Sequence, residues 1–135
     1  MKLSKENKKK IVDEISFVIK QMEQEDELKS KLYYFSGIYG MLPRIFNVDF
    51  SEDLVFIHFV VSSTYNNIKQ RINNPDNVIK IPDELFDKLI DATKELLNVI
   101  QNDKNPYEVL KKFTLIGYVM LGNGYYLYKK GVLKI

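Results

Sequence analysis

Hydrophobic residues recur along most of this chain at steps of three and four, the spacing that puts side chains on one face of a helix. Between residues 4 and 25, Ile11, Ile15, Val18, Ile19 and Met22 form one stripe among lysines and acids, which predicts a surface helix with one inward face. A second helix follows a break near residues 24–26. The acidic run Glu23, Glu25, Asp26 and Glu27 suits its positive N-terminus, and Leu28, Leu32, Phe35, Tyr39 and Leu42 turn inward. Pro43 is expected to end it, because proline lacks an amide proton and disfavours helical geometry in the residue before it. Residues 44–50 then alternate, with Phe46, Val48 and Phe50 against Asn47 and Asp49, which reads as a short strand or extended connector.

Residues 51–74 are expected to be the central helix. Ser51 supplies a cap, Glu52 and Asp53 suit the first turn, and Phe50 is placed to staple onto Val55. Lys69 and Arg71 lie in the last turns before Pro75. Leu54, Ile57, His58, Val61, Tyr65, Ile68 and Ile72 share one face, while Val55, Phe56, Phe59 and Val60 occupy the others. A helix apolar all round must be buried by neighbours or by another copy of itself, so a bundle built about this one is predicted.

Residues 73–82 read as an Asn- and Pro-rich loop whose apolar piece, Val78, Ile79 and Ile81, is placed to pair with residues 44–50. The next helix, Asp83–Gln101, puts Leu85, Phe86, Leu89, Ile90, Leu96, Leu97 and Ile100 on one side, with Glu84 and Lys88 as an i, i+4 pair. After a polar linker, Asn105, Pro106 and Glu108 are arranged as cap, first-turn proline and first-turn acid.

The segment from 107 to about 130 has two readings. As a helix it carries Tyr118, Leu121, Tyr125 and Tyr128 on one stripe, and Leu110, Phe113, Gly117, Met120, Gly124 and Leu127 on another, with the glycines letting a neighbour approach closely. As a hairpin it turns at Gly122, Asn123 and Gly124. The phase carried forward by Val109, Phe113, Ile116 and Met120 favours the helix. The fold expected is therefore an all-α bundle of about five helices, one domain over residues 1–135, with one or two short extended segments. The alternative is an α+β fold with a C-terminal hairpin.

Cysteine is absent, which removes disulfides, thiolate-held clusters and a thiol nucleophile. The N-terminal lysines are followed by a stretch broken by Asp13, Glu14 and Lys20, so no signal peptide is read, and the longest apolar run, 114–127, is too short to span a bilayer. A cytoplasmic protein without a membrane role is the expectation. Net charge is +2, yet residues 1–20 carry six lysines against three acids, residues 104–135 six against one, and the middle eight bases against fourteen acids. Arg44 and Arg71 are the only arginines, so the forked geometry that grips phosphate or guanine is scarce.

Candidate chemistry is thin. His58 is the single histidine; Ser62 and Ser63 lie a turn away without an orienting carboxylate, and the ordinary role is a core histidine bonded to a tyrosine or a backbone carbonyl. One histidine and no cysteine remove the usual zinc sets. Asp87, Asp91 and Glu95 share a face of the fourth helix, which reads as a solvated surface. The glycines fit neither GxGxxG nor GxxxxGK[ST], and the arginine and histidine spacing of helical-bundle ribonucleases of the HEPN type is missing. No catalytic, cofactor or metal residue is assigned.

The tyrosines are the suggestive feature: Tyr33 and Tyr34 on the second helix, and Tyr118, Tyr125, Tyr126 and Tyr128 on the last segment beside Lys129 and Lys130. Tyrosine combines an apolar body with a polar tip, which interfaces favour. The expected function is thus a non-catalytic interaction module that partners itself or another protein subunit. Nucleic-acid backbone binding through the basic ends and tyrosines is the alternative, and an enzyme with a pocket around His58 stands third.

Overall fold

The computed structural model describes residues 1–74 and 82–135, and every regular element among them is a helix. α1 (Lys5–Gln24) begins where the Ser4 side chain accepts from the Asn7 amide at 3.1 Å, and it buries the five residues of the predicted stripe. α2 (Leu28–Phe46) continues through Pro43 rather than stopping there. The helical partner of the Tyr39 carbonyl would be the amide of residue 43, which proline lacks. His58 Nδ1 stands 3.1 Å from that carbonyl and donates to it in the proline's stead.

Residues 44–46 are therefore the last turn of α2, not a strand, and Ile45 is buried. The backbone amides of Asn47 and Asp49 close the end by donating to the carbonyls of Pro43 and Ile45. The Asp49 carboxylate then accepts from the Ser4 amide at 2.9 Å and from Asn7 Nδ2 at 3.0 Å, tying this corner to the start of α1. Phe50 is 69% exposed, so it makes no staple over Val55. The pairing expected between 44–50 and the apolar piece after Asn74 loses its first strand, and the second falls on residues outside those described.

α3 (Glu52–Asn73) is capped by the Ser51 hydroxyl, which accepts from the Leu54 amide at 3.4 Å. α4 (Asp83–Gln101) ends with Asp103 at φ 51°, while the Lys104 amide reaches back to the Val99 carbonyl. α5 (Tyr107–Val119) starts as expected: the Asn105 side chain accepts from the Tyr107 amide at 2.9 Å, and Pro106 already has helical geometry.

The C-terminal segment is helical and not a hairpin, but it is broken. α5 stops at Val119, Leu121 is extended, and α6 (Gly122–Lys129) follows. The Gly-Asn-Gly stretch thus opens a helix, giving six helices among the described residues where about five were expected. Gly124 is the reason the corner closes: a β-carbon there would collide with the Tyr118 carbonyl.

The helices form a ring. α1 packs on α2 and α4, α2 on α3, α3 on α5, and α5 on α4; α6 lies outside against α5. The core crosses the middle, where the rings of Phe35 from α2 and Phe113 from α5 stand 6.0 Å apart, both fully buried. Burying such a side chain contributes about 2–3 kcal/mol. α3 is one member of this ring and not its enclosed centre. Leu54, Ile57, Val61 and Ile68 are buried, but Phe56 is 53% and Phe59 67% exposed. Among the described residues, no helix is long and apolar enough to cross a membrane.

Candidate functional site

α3 and α5 run side by side in the same direction, and polar groups draw them together. Thr64 Oγ1 lies 2.9 Å from the carbonyls of both Val60 and Phe113, and Asn67 Nδ2 donates to the Gly117 carbonyl at 3.1 Å. Gly117 permits this, since a β-carbon there would sit 3.2 Å from Thr64 Cα. Outward of that seam the side chains splay and leave a groove.

The groove has two compartments that meet at Val60 and Thr114. One, of about 230 Å³, lies between Phe56, Tyr107, Lys111 and Leu115; the other, of about 320 Å³, lies between Phe59, Ser63, Asn67, Tyr118 and Leu121. Phe56 and Phe59 stand on one bank and Tyr107 and Leu121 on the other, all four exposed. The walls are mostly apolar, and among the described residues Lys111 is the sole ionisable one besides the two tyrosines lining either compartment. Such a channel is built to take apolar side chains. Each phenyl-sized group fully withdrawn from water contributes about 1.5–3 kcal/mol.

The residues singled out from sequence scatter. Tyr118 lines the groove, half-buried, and its hydroxyl accepts from Asn123 Nδ2 at 3.4 Å. Tyr125 packs under the Arg71 guanidinium at 5.6 Å and near Lys129 Nζ at 6.0 Å, while Lys130 Nζ sits 4.7 Å above the exposed Tyr126 ring. Tyr128 donates to Glu84 at 2.6 Å; burial, then that bond, push its hydroxyl up to about 12. Tyr33 and Tyr34 stack edge-on at 5.4 Å, and Tyr34 meets Phe17 of α1 at 6.2 Å, so this pair belongs to the α1 side of the ring rather than to α6. Lysines of α1 face acids: Lys8 bonds Asp103 at 2.9 Å, Lys9 bonds Asp13 at 2.6 Å and Lys10 reaches Glu6 at 3.5 Å.

His58 is half-buried among the rings of Tyr39, Phe46 and Phe59, and its contact with a backbone carbonyl matches the ordinary role expected for it. The Tyr39 hydroxyl is raised above its usual value by burial and by Tyr65 beside it. Ser62 donates to the His58 carbonyl, not to its ring. The acidic face of α4 is interleaved with cations: Lys94 lies 3.6 Å from Glu23, Lys112 bonds Glu95 at 2.5 Å, and Lys31 shares a shallow cleft with Asp87 and Asp91. No cluster among the described residues is arranged to hold a metal ion.

Sequence reasoning missed the groove itself. Its signal was present in Phe56 and Phe59, which fall off the buried stripe of α3, but their neighbours across the channel come from a helix some fifty positions away. Comparison with family models, with curated proteins and with solved structures finds no match. Fold and site together define a small all-helical bundle with an open apolar groove along one face.

Proposed function

We propose that this protein is a non-catalytic interaction module of the cytoplasm, acting as a homo-oligomer or as a small subunit of a larger assembly, and that it docks a protein partner in the α3/α5 groove. The supporting observation is the pair Phe56 and Phe59, exposed on an otherwise well-packed helix and flanking a channel whose opposite bank is also apolar. Contiguous exposed apolar surface of this kind marks interaction sites more than isolated residues do. The only histidine is engaged with a backbone carbonyl and aromatic rings, which speaks for binding over catalysis.

A photoreactive phenylalanine analogue placed at Phe59 in living cells tests this. The expected result is one discrete adduct, its second component identified by mass spectrometry, with none from the same analogue at Asp91 on α4. Equal smears at both positions, or no adduct at position 59, refute the reading.

A second reading, binding of a nucleic-acid backbone, draws on the exposed Tyr126 with Lys130 above it and on Lys129 beside Tyr125. Lysines and aromatics so paired neutralise phosphates and stack bases. It predicts a salt-sensitive shift of labelled single-stranded RNA that Lys129→Glu with Lys130→Glu weakens; no shift at about 50 mM salt removes it.

A further inference from the structure

We infer that α6 and the chain after it, residues 122–135, form a strap that opens from the ring as one unit, and that its position sets the shape of the groove compartment beside Phe59. The consequence for binding rests on the docking reading above, whereas the opening itself does not.

At eight residues α6 is shorter than the about 12–15 that hold a helix together unaided. It starts without a side-chain cap, carries glycine at two of its first three positions, and buries Gly124 alone. Its backbone packs on α5, and its ties beyond that helix are side-chain tips. The Arg71 guanidinium of α3 stacks 5.6 Å from the Tyr125 ring. The Tyr128 hydroxyl donates to Glu84 of α4 at 2.6 Å, and Lys88 Nζ of α4 donates to the Ile135 main-chain oxygen at 2.9 Å. Half-buried Tyr125, Tyr128, Leu133 and Ile135 rest on the core and favour closure. A segment with so little buried and with water-exposed bonds opens at a lower free energy than the ring around it. The tail goes with the helix, because the amides of Val132 and Leu133 both donate to the Leu127 carbonyl, at 3.0 and 3.2 Å.

The inner end of the strap is part of the groove wall. Leu121, the residue before α6, lines the same compartment as Phe59 and Tyr118. The Tyr118 carbonyl accepts from the Leu121 amide at 3.0 Å and leaves no room for a β-carbon at Gly124. The Tyr118 hydroxyl accepts from Asn123 Nδ2 at 3.4 Å. When the strap swings, these contacts are lost and the wall at Leu121 and Tyr118 shifts. The compartment beside Phe56 is insulated, since Tyr107, Lys111 and Leu115 on its far bank all lie within α5. Release therefore reshapes one half of the groove and spares the other.

Native-state amide exchange of the full chain tests the unit. The amides of Tyr125, Lys130, Val132 and Leu133 should share one opening constant and exchange about 100-fold or more faster than those of Phe35 and Phe113. Tyr128→Phe with Lys88→Met removes both ties to α4 and should speed the strap about ten- to hundredfold further. Fluorine resonance tests the coupling. In that double variant the signal of 4-fluorophenylalanine at position 59 should shift or broaden, while the same probe at position 56 stays still. Strap amides as slow as the core, amides with unrelated constants, or rates indifferent to the double variant overturn the unit. A still signal at 59, or equal movement at 56 and 59, overturns the coupling. No partner takes part in either measurement, so failure of the cross-link at position 59 refutes docking and leaves the strap standing.

Discussion

Replacing His58 by phenylalanine tests whether an imidazole completes a neighbouring helix. The phenyl ring preserves contact with Tyr39, Phe46 and Phe59 but cannot donate to the Tyr39 carbonyl, whose helical partner is already missing at Pro43. Leaving a buried acceptor unsatisfied costs about 1–3 kcal/mol, and the half-buried position of His58 argues for the lower part, about 1–2 kcal/mol. For 135 residues the unfolding entropy is about 0.28 kcal/mol/K, so the melting temperature should fall by about 4–7 °C. The decisive measurement is a double-mutant cycle by urea denaturation with Pro43→Ala. Alanine returns an amide proton to position 43, so the cost of His58→Phe should shrink by about 1 kcal/mol in that background. An equal cost in both backgrounds, or none in either, refutes the account.

Other consequences are open to direct measurement. Gly117→Val should destabilise by about 1–3 kcal/mol in urea, since its side chain presses on the α3 backbone at Thr64. Gly124→Ala should undock α6, read as faster amide exchange over Gly122–Lys129, whereas Gly122→Ala, with open space around it, should not. One tyrosine should ionise near 12 in an absorbance titration and vanish from that range in Tyr128→Phe. Because its folded value lies above the ordinary 10, the associated stability is complete below pH 10 and is lost as pH rises toward 12. Asp49 and Asp103 behave oppositely: the Asn7 side chain holds the first low and Lys8 the second, so their contribution is present above the usual carboxylate value of 3.8 and disappears as pH falls beneath it. Asp49→Asn with Asp103→Asn should flatten that acid limb of a stability curve.

What could be read from sequence was whatever depended on neighbours within one helix. All five buried residues of α1 are the predicted stripe, and α4 buries Leu85, Phe86, Leu89, Ile90, Leu96 and Ile100 as expected. The errors share a cause: each turned on a contact between helices. Pro43 looked like a stop because its missing donor had no visible substitute, and the substitute lies on α3. Ile45 and Phe46 then looked extended although they finish a helix. The apolar surround of α3 predicts cover by neighbours or by another copy of the chain; within one chain a ring of five leaves one side of each member outward, and Phe56 and Phe59 occupy it. Thr64, a polar residue among aliphatics, joins α3 to α5 through the Phe113 carbonyl, and nothing local announces that bond.

The order of the ring has a consequence for synthesis on the ribosome. α1 is clasped between α2 and α4, and α4 also meets α5, so α1 gains its second neighbour only after residues beyond 83 have emerged. Until then the first three helices form an open palisade with Phe35 and its companions uncovered. A nascent chain halted there presents its future interior to water and to chaperones, and its survival depends on how quickly the closing helices arrive.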